Sequence, residues 1–304
     1  MIKIYISILH FNTPKETNEC LESLSKINSA GMDVKVVVID NASREKYSLP
    51  KGTSSSVHLI RSEVNLGFAG GHNKGILHGL SKGAEFILIL NNDTILEKDF
   101  LKELLSPMNS EKIGVTVPKI YFTKGHEFHK ERYSNSETGK IFWYAGGIID
   151  WQNVISSHRG VDEVDKGQYD KMEPTEFATG ACLLIKREVL EKTKGFDERY
   201  FLYYEDGDLN MKVKRLGYKI LYVPKSIVWH NNAGSSGSGS TLQDYYISRN
   251  RLLFGMSYAP PRARVALFRE SLKILVSGRK WQKIGVRDYY LKRFGRGTFV
   301  PGSS

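Results

Sequence analysis

Short hydrophobic runs alternate with polar segments of helical spacing over the first 120 residues. Each run is rich in β-branched residues and has no polar alternation, which predicts strands buried on both faces. The segments between them carry helical stripes such as Leu21, Leu24 and Ile27, which follow a capping-box sequence at residues 13–16. Strands alternating with helices predict an α/β fold with a mostly parallel sheet flanked by helices. The runs lie at residues 2–11, 34–40, 57–61 and 86–90.

The second half of the chain predicts further strands and a helix with a marked charge pattern. Residues 177–196 indicate a loop, a strand and a helix, and residues 218–224 begin a strand that ends near His230. Residues 203–217 carry acids in the first turn and bases in the last, as the helix dipole favours. The glycine- and serine-rich stretch 231–240 predicts a flexible loop.

Positive charge is concentrated at the C-terminus. The 304-residue chain carries a net charge of +11, and residues 241–304 hold 13 Lys and Arg against 3 Asp and Glu, a net of +10. This asymmetry predicts a domain at 1–240 and a basic, mainly helical extension at 241–304, with an anionic partner. Val265, Phe268, Leu272 and Leu275 form one helical stripe within it.

Two interpretations of the extension remain open. A basic helix can pack on the domain, or residues 256–304 can lie on an anionic membrane surface. Nucleic acid is not expected as a partner, because no known binding motif is visible. Cys20 and Cys182 do not make a disulfide framework, and the short, interrupted apolar N-terminus is not a convincing signal peptide. We expect a cytoplasmic protein, which lies on the inner face of the cell membrane if the extension binds lipid.

Polar residues follow several of the predicted strands. Asp40 ends the second strand, and Asn91, Asn92 and Asp93 follow the fourth. Ligands bind at the carboxyl ends of parallel strands, so these side chains and His230 predict a polar site at one sheet edge. A carboxylate and an imidazole there can share Mg²⁺ or Mn²⁺ with diphosphate oxygens. The alternatives are an aspartate that caps the next helix and a histidine that only packs.

Two further motifs belong to this picture. The aromatic stretch YFLYY lies beside a cluster of three acids, Glu205, Asp206 and Asp208. Apolar surroundings raise the pKa of a carboxyl group and suit it to act as a general base. This interpretation is favoured over the alternative, in which the acids only begin a solvated helix. The glycine-rich stretch 65–75 lets the backbone approach a ligand closely. Residues 69–82 are predicted to be a glycine-rich loop that runs into a helix, and the stretch matches neither a dinucleotide fingerprint nor a phosphate loop.

Taken in order, these motifs resemble family 2 glycosyltransferases of the GT-A fold, in their bacterial polysaccharide and rhamnosyltransferase-like branch. The resemblance covers residues 2–255. It rests on a first strand ending at Asn12 and on VVVIDNAS, NLGFAGGHNKG, LILNND, TGACLLIKR, GFDE, EDGDL and a final strand-end histidine. It implies inverting, metal-dependent transfer of a sugar from a UDP- or dTDP-linked donor to a glycan or lipid-linked acceptor.

The resemblance also implies a role for each matching residue. Asp206 is the catalytic base; Asp93, with Asn91 in the place of the first Asp of a DxD motif, and His230 are the ligands of Mg²⁺ or Mn²⁺. The implied nucleotide-binding residues are Asn12, Asp40, Asn65, Gly67, Asn73 and Asn92. The implied acceptor-binding residues are Gly180, Ala181, Glu205 and Asp208.

Two rival functions share parts of this pattern. A sugar-phosphate nucleotidyltransferase has the same sheet plan, but it is expected to carry a glycine-rich loop after the first strand, where this chain has HFNTPKE. A non-enzymatic protein that binds carbohydrate or nucleic acid would explain the charge alone. The donor sugar, the acceptor and the oligomeric state stay open from sequence.

Overall fold

The structure is a computed structural model that describes residues 1–231 and 240–300. Most of the predicted flexible loop, residues 232–239, lies outside the described residues. The described strands are β1 (Ile2–His10), β2 (Met32–Asp40), β3 (Val57–Arg61), β4 (Phe86–Asn91), β5 (Thr94–Leu96), β6 (Ile113–Phe122), β7 (Phe142–Tyr144), β8 (Gly147–Asp150), β9 (Ile155–His158), β10 (Glu173–Pro174), β11 (Cys182–Lys186) and β12 (Lys219–His230).

A ten-stranded, mostly parallel sheet forms the centre of the molecule, with the main path β10-β12-β6-β11-β4-β1-β2-β3. The four predicted N-terminal strands are confirmed, and β3, β2, β1 and β4 run parallel in that order. The central residues of β1 and β4 and the second half of β2 are buried, which explains the continuous apolar runs in the sequence, whereas β3 at the sheet edge is only partly buried. The chain leaves β1 toward β2 on one side and returns to β4 on the other, a strand order that predicts a ligand-binding crevice at the carboxyl ends of β1, β2 and β4.

Helices pack on the sheet and continue to the C-terminus. Two predictions about the starts of helices are wrong, one for the helix after β1 and one for the helix after β3. The capping box at residues 13–16 does not form, because Thr13 makes no side-chain cap and instead accepts a hydrogen bond from Asn92. The glycine-rich loop predicted at the start of residues 69–82 is not a loop, because the helix that follows β3 already begins at Gly67. The described helices are α1 (Pro14–Leu24), α2 (Gly67–Ser81), α3 (Phe100–Leu105), α4 (Arg187–Thr193), α5 (Glu205–Arg215), α6 (Thr241–Tyr258), α7 (Pro261–Ser277) and α8 (Lys280–Tyr290).

The antiparallel strand β11 positions the second half of the site. It lies between β4 and β6, with Cys182 opposite Leu90. Because β11 runs against β4, its first residues meet the carboxyl end of β4. The backbone N–H of Asn91 donates to the carbonyl of Ala181 over 2.8 Å. Residues 179–181 (the TGA segment), which precede β11, therefore lie at the sheet edge that carries Asn91.

The predicted helical extension is confirmed, and it packs on the preceding residues. Phe254 of α6 stacks on Trp151, with ring centroids 5.8 Å apart, and lies 5.5 Å from Tyr204. Val154 and Tyr200 join the same buried cluster with residues of α6, α7 and α8. Residues 241–300 thus complete a hydrophobic core with the first 231 residues. Within the described ranges, no helix combines the length and the apolar character needed to cross a membrane.

Candidate functional site

Asp93 and His230 meet at the edge where β4 and β12 end. The short strand β5 pairs with the end of β12, so that Thr94 lies opposite His230. Asp93 Oδ1 lies 3.1 Å from His230 Nε2, and Asn91 Nδ2 lies 3.2 Å from the same nitrogen. The backbone of Asp93 accepts from Asn231 N over 2.7 Å, which fixes the turn. The two residues predicted from separate motifs are brought into direct contact.

This pair fits a divalent cation shared with a ligand. A carboxylate oxygen and an imidazole nitrogen are suitable donors for Mn²⁺, and Mg²⁺ is commonly bound by one or two protein groups plus phosphate oxygens. His230 is 5% exposed and packs on Trp143, with ring centroids 4.5 Å apart. Its Nδ1 is buried without a hydrogen-bond partner. In the part of the chain that the structure describes, no group of three or more His, Cys, Asp and Glu is arranged to hold a metal alone.

Asn92 faces the first helix rather than the crevice. Its Nδ2 donates to Thr13 Oγ1 over 2.7 Å and to Thr17 Oγ1 over 2.8 Å. The side chain therefore ties the turn after β4 to the first turn of α1. These contacts favour a role in positioning the turn over the nucleotide contact that the resemblance implies.

Asp40 organises the turn after β2. Its carboxylate is 1% exposed and accepts from Ser43 N over 2.9 Å, from Tyr47 N over 3.2 Å and from the guanidinium of Arg61. Burial works to raise the pKa of Asp40, but these donors outweigh it and hold the pKa below its ordinary value. This engagement favours a supporting role over the direct nucleotide contact that the resemblance implies. Arg61 ends β3 directly opposite Asp40, a signal that the strand pattern contains and that sequence reasoning missed.

Asn41 connects the loop after β2 with residues 65–67, which follow β3. Its Oδ1 accepts from Leu66 N over 2.9 Å, and its Nδ2 donates to Asn65 Oδ1 and to the carbonyl of Gly67, both over 3.1 Å. Asn12, which has a left-handed backbone (φ 59°), accepts from Arg44 N over 2.8 Å. Asn12, Asn65 and Gly67 therefore lie around the predicted crevice. Asn41 was missed because a buried amide next to an aspartate has no distinctive sequence pattern.

Asn73 has a different position from that predicted. It is 9% exposed, and its amide bonds the backbone of Phe196 through both ends, as donor and as acceptor over 2.9 Å. Its Nδ2 also donates to Glu198 Oε1 over 3.0 Å. Asn73 thus ties α2 to the GFDE segment at residues 195–198. These contacts with protein use both donors of the amide and favour a structural role over the nucleotide contact that the resemblance implies.

Asp206 lies at the start of α5, beside the TGA segment. Its Oδ2 accepts from Gly180 N over 3.1 Å and its Oδ1 accepts from Gly207 N over 2.7 Å. Burial raises the pKa of Asp206 above its ordinary value, and these backbone donors oppose the rise. Asn210, another residue that sequence reasoning missed, bonds both the N–H and the carbonyl of Ala178 and so locks α5 to this segment. The predicted base and the predicted acceptor-side wall are therefore in direct contact.

The other two acids of the cluster point to different surroundings. Glu205 is 5% exposed, and its Oε2 has no hydrogen-bond partner. Burial, followed by the neighbouring Asp206, raises the pKa of Glu205 well above its ordinary value. Asp208 is buried and accepts from Tyr258 Oη of α6 over 2.7 Å, with Lys212 Nζ 2.8 Å away. Asp208 therefore joins α5 to α6, a contact that favours a structural role over the acceptor binding that the resemblance implies.

Comparison with known proteins agrees with this arrangement. The Glycosyl transferase family 2 model matches residues 5–194. A low-salt glycan biosynthesis hexosyltransferase, Agl10 of Haloferax volcanii, is 26% identical over 245 residues, which cover 80% of this chain and 73% of that protein. The dTDP-rhamnosyl transferase RfbF of Shigella flexneri is 24% identical over 73% of this chain and 66% of its own length. An N-acetylglucosaminyl-diphospho-decaprenol L-rhamnosyltransferase of Mycobacterium tuberculosis is 40% identical, but only over 22% of this chain and 24% of its own length.

Solved structures show the same fold. GalNAc-T7, determined with UDP, GalNAc and Mn²⁺, aligns over the whole chain and 53% of its own length with a TM-score of 0.58 and 16% identity. The mannosyltransferase PcManGT of Pyrobaculum calidifontis, determined with GDP-Man and Mn²⁺, aligns over 98% of this chain and 76% of its own with a TM-score of 0.52 and 14% identity. The predicted GT-A fold is thereby confirmed.

The buried Glu205 yields a prediction about stability. A carboxyl group whose pKa is raised on folding binds its proton more tightly in the native state, so its contribution to stability falls as pH rises above the unfolded pKa. We expect Glu205→Gln to raise the melting temperature relative to the parent protein at pH 8 and to lose that advantage toward pH 4. Differential scanning calorimetry across this range measures the effect. Glu188→Gln, at an exposed position in the first turn of α4, is the control; an advantage that does not shrink at low pH would contradict the assignment.

Proposed function

Because the chain belongs to glycosyl transferase family 2, we propose that it transfers a sugar, with inversion, from a UDP- or dTDP-linked donor to a glycan or lipid-linked acceptor in polysaccharide synthesis. One observation carries this proposal. The Asp93–His230 pair and the Asp206 carboxylate lie on separate segments, joined across the sheet edge by the hydrogen bond between Asn91 and Ala181. A leaving-group site and a base site are then distinct, as inversion by a single displacement requires.

The leaving group belongs at the Asp93 end. Asp93 Oδ1 and His230 Nε2 would hold Mg²⁺ or Mn²⁺, and the two neighbouring structures were both determined with Mn²⁺. A bound cation of this kind neutralises charge on the departing diphosphate. Asn92 supports the site by fixing the turn to α1, and Trp143 packs against the imidazole and fixes its plane.

The nucleotide belongs at the ends of β1 and β2. Asn12, Asn65 and Gly67 border this part of the crevice, and Asp40 supports it by holding the turn of residues 41–47. UDP and dTDP are the favoured nucleotides, since RfbF is named as a dTDP-rhamnosyl transferase and GalNAc-T7 was determined with UDP. The choice between them is a matter for direct binding measurements.

The acceptor belongs beside Asp206. The carboxylate accepts the proton of the attacking hydroxyl, and its raised pKa makes it a stronger base than an ordinary aspartate. Backbone donors from Gly180 and Gly207 fix both oxygens. Glu205 has an unpartnered buried oxygen next to this group, which suits a hydrogen bond to the acceptor, and Ala181 lines the same wall.

The acceptor's lipid anchor suggests a place at a membrane surface. The stripe that the sequence predicts on α7 is exposed, with Val265 at 52% and Phe268 at 47%, while Leu267 on the opposite face is buried. Exposed Arg262, Arg269 and Lys273 flank the stripe. An apolar stripe bordered by cations fits an anionic lipid surface, with which each cation contributes about 1 kcal/mol. A cytoplasmic protein on the inner face of the membrane follows from this proposal.

The general base is tested by Asp206→Asn, which keeps the shape of the side chain and removes its basicity. We expect transfer to fall by about 10²–10⁴-fold. Affinity for UDP or dTDP should stay within a few-fold, because the proposal places the diphosphate at Asp93 and His230 rather than at Asp206. Asp208→Asn is the matched control. It should lower the melting temperature relative to the parent protein and reduce the transfer rate less than Asp206→Asn does. Loss of transfer in the Asp208 variant alone would place the base two residues further on.

The cation site is tested by Asp93→Ala and His230→Ala. We expect each to weaken the thermal protection given by Mn²⁺ plus UDP or dTDP, and to reduce Mn²⁺ affinity by about 100-fold or more. Asp33→Ala, at the amino end of β2 and the opposite sheet edge, controls for loss of a carboxylate. Equal protection of all three variants would show that the pair does not bind the cation.

The membrane surface is tested with Phe268→Ser and Leu272→Ser, which change exposed side chains and should leave the melting temperature unaltered. We expect loss of co-sedimentation with vesicles that contain phosphatidylglycerol, and no binding of any variant to vesicles of phosphatidylcholine alone. Salt should weaken binding by the parent protein. Leu77→Ser, at an exposed position of α2, is the control. If the stripe variants bind vesicles normally but shift the oligomeric state, the stripe contacts a second copy of the chain.

A further inference from the structure

The segment that leads into α5 has an unusual backbone. Phe201, Tyr203 and Tyr204 all have left-handed conformations, with φ of 65°, 68° and 71°. Residues with a side chain rarely adopt this region, and bulky ones do so only where surrounding contacts hold them. Tyr204 directly precedes Glu205 and lies two residues before Asp206. The position of the proposed base therefore depends on whatever holds this segment.

Asn250 of α6 provides the principal contact. Its Nδ2 lies 2.8 Å from each of three carbonyl oxygens, those of Tyr200, Leu202 and Tyr203. Its Oδ1 accepts from Arg249 Nε over 2.9 Å, which orients the amide so that its donor faces the segment. Asn250 is completely buried. A single side-chain amide thus gathers the carbonyl groups of the left-handed turn.

Arg249 bonds the same segment and also the residues that follow α8. Its Nη2 donates to the carbonyls of Arg199 over 3.2 Å and of Tyr200 over 2.9 Å. Its Nη1 donates to the carbonyl of Arg293, beyond α8, over 3.3 Å. Arg249 is fully buried, and its direct hydrogen-bond acceptors are carbonyl, amide and hydroxyl oxygens rather than carboxylates. A cation placed in this way is suited to hold backbone carbonyls.

The same segment is also attached to the donor side. The carbonyl of Phe201 accepts from Phe68 N over 2.7 Å and from Ala69 N over 3.4 Å, at the start of α2. A Cβ atom on Gly67 would lie 2.3 Å from that carbonyl oxygen, so only glycine permits the approach. Residues 199–204 therefore connect the glycine-rich start of α2, the start of α5 and the C-terminal helix α6.

We propose that Arg249 and Asn250 are positioning residues for sugar transfer, which hold residues 199–204 and thereby fix Asp206 relative to the glycine-rich start of α2. The chemical consequence rests on the proposed function, whereas the holding of the segment does not. A general base must lie within hydrogen-bond reach of the proton that it accepts, so a small displacement of α5 slows transfer without altering donor binding. The C-terminal helices are in this way part of the catalytic unit.

The holding of the segment is tested by hydrogen exchange, which needs no substrate. Asn250→Asp keeps the size of the side chain but turns an oxygen toward the three carbonyls. We expect the amides of residues 198–209 to exchange about tenfold faster, the change in equilibrium for one lost hydrogen bond. Leu252→Ala, a buried change on the same helix, controls for general destabilisation. Asn250→Ser, which keeps one donor, replaces the aspartate variant if that variant does not fold. Exchange no faster than in the Leu252 variant would overturn the proposal.

The catalytic consequence is tested with the same variants in the transfer assay. We expect kcat to fall by about 100-fold for Asn250→Asp while the donor KM changes by less than about threefold. Arg249→Lys keeps the positive charge but loses the several donors of the guanidinium. Its kcat should lie between those of Asn250→Asp and the parent protein. Faster exchange with unchanged kcat would reduce both residues to a structural role and overturn the proposal. If the parent protein transfers no sugar from any donor, the proposed function fails, and the exchange measurement still decides whether Arg249 and Asn250 hold the segment.

Discussion

The hydrogen bond from Asn91 N to the carbonyl of Ala181 joins the two halves of the candidate site. It exists because β11 enters the sheet antiparallel to β4, which brings the start of one strand against the end of the other. On one side of this bond, the turn after β4 leads to Asp93 and His230. On the other side, Gly180 holds the carboxylate of Asp206. A change in the register of β11 would separate the two groups, even if every side chain were retained.

The strands β1, β2 and β4 could be predicted from sequence because their burial leaves continuous apolar runs. The sheet edge could be predicted for the same reason, since Asp40, Asp93 and His230 each follow such a run. The paired contact of Asp93 with His230 depends on β5, a three-residue strand that is too short to leave a pattern. Similarly, the capping-box sequence at residues 13–16 gave a wrong local prediction because Asn92, distant along the chain, provides a competing partner for Thr13.

Buried amides were the residues that sequence reasoning handled least well. Asn41, Asn210 and Asn250 each bond two or more backbone groups, and none of them has a distinctive sequence spacing. Asn73 was predicted to bind the nucleotide because it lies in a glycine-rich motif, yet its amide is used by the GFDE segment. An amide can donate and accept at once, so it is well suited to join two irregular segments. Which segments it joins is decided by the tertiary fold.

The acids of the sheet edge differ in role because their surroundings differ. Asp40 is surrounded by donors that favour its charged form, and it holds a turn. Asp206 receives two backbone donors, but the effect of burial is larger, so its pKa is raised, in agreement with the proposed role of general base. Glu205 lacks a partner for one oxygen, and its proton is retained most strongly. In our proposal, Arg249 and Asn250 of α6 hold the backbone of residues 199–204, and this segment places Glu205 and Asp206 at the start of α5. The basic extension therefore combines an exposed charged surface with a buried cation, Arg249, that bonds the segment leading to the proposed base.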